Sequence, residues 1–119
     1  MVKAVILATV LSVIDGDTIM VNFTCDVAIL CKNIPLRIEH IDTPELKGKC
    51  PEEIAMAFKA KETVKAMLPV GSQLSLSKYK RDNYYRLDAE VLMVSAPLLA
   101  AGLARPYEGG GGFRKPWCK

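Results

Sequence analysis

The beginning of the chain contains two apolar runs whose residue types are typical of β-strands. Residues Ala4 to Val13 are rich in Val, Ile and Leu, and Thr18 to Phe23 resumes the apolar pattern. Between them lies Asp15-Gly16-Asp17, and an Asp-Gly pair is common at the turn of a hairpin. The pattern therefore predicts an N-terminal β-hairpin.

A further alternation, from Ile34 to Ile41, predicts a half-buried strand. Leu36 and Ile38 fall on one face while Arg37 and Glu39 fall on the other, because successive side chains of a strand point to opposite sides. We therefore expect Arg37 on the polar face of this strand.

An amphipathic helix is predicted in the middle of the chain. Pro51 suits the first helical turn, and Glu52 and Glu53 complement the positive end of the helix dipole. Pro69 and Gly71 end the pattern. The apolar residues at helical spacing are Ile54, Ala57, Phe58, Val64, Met67 and Leu68.

Two more strands and a short helix are expected in the C-terminal half. The residues alternate from Leu74 to Ser77 and again from Arg86 to Met93, so that Arg86 opens a strand on its polar side. A short helix is predicted from about Pro97 to Ala101, capped by Ser95 and ended at Gly102.

The order of these elements predicts the fold class. Five strands interrupted by one main helix suit a β-barrel with helices (α+β), a small, partly open OB-fold barrel, better than a parallel α/β sheet. The 119 residues are expected to form a single domain, 1–119, that buries roughly two thirds of its unfolded surface.

Composition narrows the class of protein without deciding it. Half of the residues are apolar and 24% are charged, which is ordinary for a globular protein, and the net charge of +3 weakly favours a polyanionic partner. The apolar run from Val2 to Val13 is too short to span a bilayer, and it lacks the cleavage pattern of a signal peptide. A mature form whose leader has already been removed stays open.

The four cysteines leave the cellular compartment undecided. They show no CxxC spacing and only one His accompanies them, which disfavours a structural zinc site. An even count fits two disulfides, yet four free thiols fit a reducing compartment equally well. If a bridge forms, we expect Cys50 with Cys118, and Cys25 and Cys31 flank a short connection and could also pair.

The segment Arg37 to Glu45 carries the clearest candidate chemistry. Pro44 restricts the residue before it and ends the strand, so that Asp42, the Thr43 carbonyl and Glu45 can converge on one point. Hard divalent cations such as calcium prefer such oxygen ligands.

The other charged residues are ambiguous when each is taken alone. Asp15 and Asp17 are typical hairpin-turn residues, and they would add carboxylates to a cation site. Arg37 and Arg86 taken singly are most often surface or salt-bridged side chains. A functional interpretation depends on their combination and order.

That combination resembles a known family. The segments that match its signatures are, in chain order, Val13-Ile14-Asp15-Gly16-Asp17-Thr18, Leu36-Arg37 leading to Ile41-Asp42-Thr43-Pro44-Glu45, Asp82-Asn83-Tyr84-Tyr85-Arg86, and Leu99 to Gly102-Leu103-Ala104. They are similar to the staphylococcal nuclease (thermonuclease) family, over about residues 8 to 107. The C-terminal tail is more like that of the short bacterial, phage or plasmid members.

The resemblance implies a calcium cofactor, with Asp17, Asp42 and the Thr43 carbonyl as its ligands. It also implies that the protein is a phosphodiester hydrolase with low sequence specificity, acting on DNA and/or RNA. No membrane or obligate protein partner is indicated, and a monomer is expected. The alternative is a catalytically weak nucleic-acid-binding module of the same fold.

The same resemblance implies the roles of the remaining site residues. Glu45 is expected to act as general base, and Arg37 and Arg86 are expected to bind the phosphate and stabilise its transition state, where negative charge accumulates. Tyr84 and Tyr107 are candidate substrate-binding residues, although buried core tyrosines would give the same pattern. The chain departs from the family with Asn83 and Tyr85, and Tyr85 replaces the usual glycine before Arg86.

Overall fold

The structure of the chain is a computed structural model. It describes residues 5–23, 25, 31–81, 86–107 and 117–118. The secondary-structure elements of this part are β1 (Ile6–Asp15), β2 (Thr18–Phe23), β3 (Ile34–Ile38), β4 (Ile41–Asp42), α1 (Pro51–Met67), β5 (Gln73–Leu76), β6 (Tyr79–Arg81), β7 (Leu87–Ala89), α2 (Leu92–Ala100) and β8 (Arg105–Pro106).

The strands form a curled sheet that has the shape of a half barrel. Its order is β5-β1-β2-β3-β7-β6, and β4 and β8 form a separate pair. Neighbouring strands are antiparallel except β3 and β7, which are parallel and are joined through α1 and three further strands, β4, β5 and β6. Helix α1 packs against β1 and against α2. The predicted α+β class is confirmed, with two helices and a barrel-like sheet in the described part of the chain.

The N-terminal hairpin is confirmed. Strands β1 and β2 pair in antiparallel register from Ala8 opposite Phe23 to Asp15 opposite Thr18, with two irregularities that bend β1. Val10 and Val21 are fully buried on the inner face. The turn at Gly16 and Asp17 therefore lies at the end of the sheet where β3 also ends.

The strand predicted from Ile34 to Ile41 is wrong at its end. Strand β3 ends at Ile38, and Glu39 and His40 form a turn in which His40 adopts a left-handed backbone with a φ of 72°. The chain then enters β4, which pairs with β8 instead of continuing the main sheet. The step from Ile38 to Ile41 is three residues, and this change from a period of two is the local sign of the break.

Helix α1 begins at Pro51 as predicted. The side chain of Cys50 caps the helix by accepting a hydrogen bond from the Glu53 amide, with an N···S distance of 3.4 Å. At the other end, the Leu68 amide donates to the Val64 carbonyl, and Gly71 has a φ of 92°. The predicted start and end of the helix are therefore confirmed.

The buried face of α1 differs from the predicted one. Ala57, Ala60 and Val64 are fully buried, whereas the Phe58 residue is 53% exposed. Small residues face the sheet, so the helix backbone lies close to the β1–β2 hairpin. The large ring of Phe58 is left on the outside.

The prediction for the second helix is wrong in its start and cap. Strand β7 is only Leu87–Ala89, and the segment that was expected to continue it turns into α2 at Leu92. Pro97 lies inside the helix, and Ser95 is a buried residue of its interior and not the cap. The helix is favoured because Val91, Val94 and Leu98 recur at three- and four-residue spacing and share one buried face, whereas a strand would put Val91 and Val94 on opposite faces. Gly102, with a φ of 72°, ends the helix as predicted.

The core lies between the curled sheet and the two helices. Its fully buried large side chains include Ile19, Leu36, Ile38, Ile41, Leu76, Leu87 and Leu98. Within the described residues, no helix is both long enough and apolar enough to cross a membrane.

The structure contains two disulfides, both between pairs that the sequence left possible. Cys25 is bridged to Cys31, and Cys50 is bridged to Cys118. The second bridge joins the start of α1 to the C-terminal end of the described chain, across 68 positions of sequence. It is the longer-range constraint of the two.

We expect the two bridges to stabilise the protein unequally. A bridge restricts the unfolded chain more as the loop it closes lengthens, so Cys50→Ser/Cys118→Ser should lower the free energy of unfolding by up to about 4 kcal/mol, and Cys25→Ser/Cys31→Ser by up to about 2 kcal/mol. Urea unfolding followed by circular dichroism measures both. Equal losses of unfolding free energy in the two double variants would contradict this expectation. Four free thiols found by non-reducing peptide mapping of natively sourced protein would also contradict it.

Candidate phosphate and cation site

Arg37 lies beside the turn of the first hairpin. It is on β3, opposite Thr18 at the start of β2. Its Nη1 lies 3.4 Å from Asp17 Oδ2, and the two side chains are only 19% and 13% exposed. The residues that the sequence suggested for phosphate and cation binding are therefore in direct contact, and their ion pair is shielded from water.

The guanidinium of Arg37 also holds the turn after β3. Its Nη1 donates to the Ile38 carbonyl, and its Nη2 donates to the Ile41 carbonyl at 2.8 Å. These two acceptors flank the turn at Glu39 and His40, which the sequence did not predict. One side chain thus fixes the end of β3 and the start of β4 together.

Asp17 connects this arrangement to Thr43. Its Oδ2 accepts a hydrogen bond from the Thr43 amide at 3.3 Å, and its Oδ1 accepts from the Thr18 hydroxyl at 3.1 Å. Asp17 and Thr43 are both buried. The predicted approach of the hairpin turn to the segment after β4 is therefore present in the structure.

Asp15 adds a second carboxylate at the same turn. Its Oδ1 accepts a hydrogen bond from the Asp17 amide at 3.1 Å. Burial, followed by the hydrogen bond and the charge of the Asp17 side chain, raises the pKa of Asp15 to about 7. The turn therefore concentrates acidic oxygens at a poorly solvated point, where a nearby positive charge is stabilising.

Gly16 allows the turn to lie this close to the rest of the site. A Cβ atom at this position would lie 2.9 Å from the Ala60 Cβ on α1 and 3.0 Å from the Thr43 Cγ2. Those distances are shorter than ordinary van der Waals contact. The absence of a side chain at Gly16 is thus a packing requirement of the site.

Asp42 lies on β4 and contacts the C-terminal end of the described chain. It pairs with Arg105 of β8, and its Oδ2 accepts a hydrogen bond from the Trp117 indole at 3.3 Å. The Arg105 guanidinium stacks over the Trp117 ring at 3.8 Å from the centroid. Sequence reasoning missed Trp117, since nothing local connects residues 75 positions apart.

Glu45 is exposed, and its backbone is held by a second acidic residue. The Glu45 amide donates to Glu53 Oε2 at 3.1 Å, and the Lys49 amide donates to Glu53 Oε1 at 3.3 Å. Glu53 is only 6% exposed. The sequence marked Glu53 as a helix-start residue, but it gave no sign that this carboxylate organises the Glu45 loop.

The second arginine lies immediately before β7, the strand that pairs with the strand of Arg37. Arg86 precedes β7, and its Nε lies 3.5 Å from the Oδ1 of the buried Asp88. In the parallel β3–β7 pair, Asp88 is the register partner of Arg37. Asp88 is thus a neighbour of both predicted phosphate-binding residues, by register for Arg37 and by an ion pair for Arg86, and sequence reasoning did not identify it as part of the site.

The two tyrosines have different outcomes. The Tyr107 amide donates to the His40 carbonyl at 2.9 Å, and the residue is half buried beyond β8. Its predicted substrate contact stays a prediction. Tyr84 lies outside the described residues, as do Asn83 and Tyr85.

The donor chemistry of the predicted calcium ligands fits a hard cation. Asp17, Asp42 and the Thr43 carbonyl offer oxygen alone, as calcium prefers. A second cluster of potential metal ligands consists of Cys50, Glu53 and Cys118, whose ligand atoms lie within 4.8 Å of one another. Its two sulfurs are joined in a disulfide, so this trio does not have the free thiolates that a soft metal needs.

Comparison with known proteins gives a limited result. No protein-family model matches the chain. The chain is 34% identical over 89 residues to an uncharacterized lipoprotein of Mycoplasma genitalium. The match covers 71% of this chain and 34% of that protein, so the chain spans about a third of its relative's length.

We expect Gly16→Ala to destabilise the protein by about 1–3 kcal/mol, because the new methyl group overlaps Ala60 and Thr43. Removing the Ala60 methyl in Gly16→Ala/Ala60→Gly should recover part of that loss, although glycine within a helix itself costs about 1 kcal/mol. Urea unfolding of both single variants and the double variant gives the coupling between the two positions. If the stability loss of the double variant equals the sum of the two single losses, the close approach of Gly16 to Ala60 is contradicted.

Proposed function

We propose that the protein is a calcium-dependent nuclease that hydrolyses phosphodiester bonds in DNA and/or RNA with low sequence specificity. The observation that carries the proposal is the shielded contact between Arg37 and Asp17, with Thr43 on the same carboxylate. A forked cation beside oxygen ligands is suited to a phosphate that bridges a metal and a guanidinium. Low specificity follows if the phosphate is the recognised group.

The proposed scaffold for this activity is an OB-fold barrel. Five strands in the order β5-β1-β2-β3-β7, with α1 inserted between the third and the fourth of them along the chain, support it. Such barrels bind oligonucleotides across their strands and connecting loops. The resemblance of the sequence to staphylococcal nucleases supports the same assignment.

The proposed calcium ligands are Asp17, Asp42 and the Thr43 carbonyl. A bound calcium ion supplies positive charge that polarises a phosphoryl oxygen. The protein's part is to keep both carboxylates in place. The Thr18 hydroxyl and the Thr43 amide orient Asp17, while the Trp117 indole orients Asp42.

Arg37 and Arg86 are proposed to stabilise the transition state. Hydrolysis concentrates negative charge on the phosphoryl oxygens, and fixed guanidinium groups in a poorly solvated site stabilise that charge without reorganising. The two carbonyls that bind Arg37 keep its orientation fixed. Asp88 forms an ion pair with Arg86, whose side chain is 40% exposed.

Glu45 is proposed as the general base that accepts a proton from the attacking water at its carboxylate. Positive charge nearby makes a carboxylate a weak base, so its contribution depends mainly on placing the water. The backbone of Glu45 is held by the buried carboxylate of Glu53. Tyr84 and Tyr107 are proposed to contact the substrate by stacking on bases or covering the phosphate.

We further infer a monomer that needs no obligate protein partner.

Two disulfides favour an oxidising compartment over a reducing one. The Mycoplasma relative is a lipoprotein by name, which agrees with a location outside the cytosol. The same fold could instead bind nucleic acid without cleaving it, and the variants below separate these two functions.

Calcium should support the cleavage of single-stranded DNA, and a calcium chelator should abolish it. Asp17→Asn and Asp42→Asn should each weaken calcium binding by more than about tenfold, because each replaces an ionic oxygen ligand with a neutral amide. Digestion assays and calorimetric calcium titration measure the two effects. Glu62→Gln, at an exposed position of α1, is the matched control for charge removal. Full activity in chelator would contradict the proposal.

Arg37→Lys and Arg86→Lys should each reduce kcat by about a hundredfold to a thousandfold while changing substrate affinity little, because an ammonium keeps the charge but loses the forked contact. Arg81→Lys, on β6, is the control and should keep kcat unchanged. Glu45→Gln should slow the chemical step while binding stays normal or tightens. Single-turnover kinetics and binding on the same variants test this.

In a binding module, the outcome of these measurements differs. Wild-type protein would release no acid-soluble nucleotides, the arginine variants would lose affinity and its salt dependence, and Glu45→Gln would be silent. Equal losses of turnover and affinity in the arginine variants would also count against the proposed mechanism.

A further inference from the structure

The Cys50–Cys118 bridge lies next to two side chains that contact predicted site residues, Trp117 at Asp42 and Glu53 at the Glu45 backbone. Cys50 caps α1, immediately after the loop that begins at Glu45. Cys118 follows Trp117, which contacts Asp42. The bridge therefore does more than join two surface segments, because each of its ends adjoins a group that touches the candidate site.

The first connection runs through Trp117 to Asp42. Only 8% of Trp117 is exposed, and its indole donates to Asp42 Oδ2 while Arg105 covers its ring. A hydrogen bond to one carboxylate oxygen fixes the direction of the other. Outer hydrogen bonds of this kind commonly change metal affinity by tenfold to a hundredfold.

The second connection runs through Glu53 to Glu45. Glu53 Oε1 lies 3.7 Å from Cys118 Sγ, and both carboxylate oxygens accept backbone amides of the loop, from Glu45 and Lys49. Gly48 makes room for this carboxylate, since a Cβ there would lie 2.6 Å from the Glu53 Cγ. A buried carboxylate at this position therefore sets the path of the loop.

We propose that Cys50, Glu53, Trp117 and Cys118 form a clasp that positions Asp42 for cation binding and Glu45 for catalysis. The inference rests on the proposed function, and these four are positioning residues. The closed bridge keeps the Trp117 indole in contact with Asp42. It also keeps the Glu53 carboxylate in contact with the backbone of the Glu45 loop. Without the bridge, the C-terminal end is no longer tied to α1, and both contacts weaken.

The Cys25–Cys31 bridge offers a matched control. It joins positions only six apart near the far end of β2, away from the turn that carries Asp17. Removing it tests the general effect of losing a disulfide. Serine at Cys50 keeps an acceptor for the helix cap, so Cys50→Ser/Cys118→Ser removes the bridge without removing the cap.

The closing experiment compares five proteins at a temperature where circular dichroism shows all of them folded: wild type, Cys50→Ser/Cys118→Ser, Cys25→Ser/Cys31→Ser, Trp117→Phe and Glu53→Gln. Calcium affinity is measured by calorimetry, and kcat and KM are measured on single-stranded DNA. Emission of the single tryptophan is recorded without calcium for the variants that retain Trp117.

We expect calcium affinity to fall about tenfold in Cys50→Ser/Cys118→Ser and in Trp117→Phe, and to stay unchanged in Cys25→Ser/Cys31→Ser. Tryptophan emission should shift to longer wavelength only when the Cys50–Cys118 bridge is removed, because the indole becomes solvated. Glu53→Gln should lower kcat while calcium affinity stays unchanged, since it removes one acceptor from the Glu45 loop and leaves Trp117 in place.

The clasp is overturned if both double variants behave alike, or if emission is unchanged without the Cys50–Cys118 bridge. Should that double variant fail to fold, Trp117→Phe, which keeps both bridges, decides the question, and wild-type calcium affinity in it would overturn the proposal. Failure of the proposed function looks different: wild type itself would neither bind calcium nor cleave DNA, while tryptophan emission would still report the clasp.

Discussion

The organisation of the candidate site depends on one side chain, the guanidinium of Arg37. It pairs with Asp17 at the hairpin turn and donates to the carbonyls of Ile38 and Ile41. Three segments of chain are thereby held at one point, where the main sheet ends and β4 begins. Since the pair is largely shielded from water, replacing this cation with a neutral group would leave a poorly solvated carboxylate without its compensating charge.

The positive charge of Arg37 also explains how the fold tolerates two carboxylates at one turn. Asp15 and Asp17 are adjacent in space, and burial with mutual repulsion disfavours two negative charges there, as the raised pKa of Asp15 indicates. Asp15 serves the turn itself by accepting the Asp17 amide, while the Asp17 carboxylate pairs with Arg37. The arrangement is understandable if a cation and an anionic substrate both use it, as in the proposed reaction.

The C-terminal end contributes to the same region through long-range contacts. The disulfide across 68 positions of sequence restricts the unfolded chain more than the short Cys25–Cys31 bridge does. The bridge also places Trp117 on Asp42, and it lies next to the carboxylate of Glu53. Stability and positioning are therefore carried by the same covalent link.

The sequence alone determined the features that local interactions set. The first hairpin, the ends of α1 and the stop at Gly102 were predicted because turn, cap and breaker residues act within a few positions of themselves. The resemblance grouped Arg37, Asp17 and Thr43 in one site, and the structure brings these three into contact. The convergence of Asp42, the Thr43 carbonyl and Glu45 that Pro44 indicated stays a prediction.

Tertiary structure decided what depended on distant partners. The break after β3 needs the left-handed His40 and the Arg37 hydrogen bonds, and α2 replaces a strand because its buried face packs under the sheet. The positions of Glu53 and Trp117 in the site follow from contacts eight and 75 residues apart in the chain. No periodicity or local motif encodes such pairs, because their geometry exists only after the core has brought the segments together.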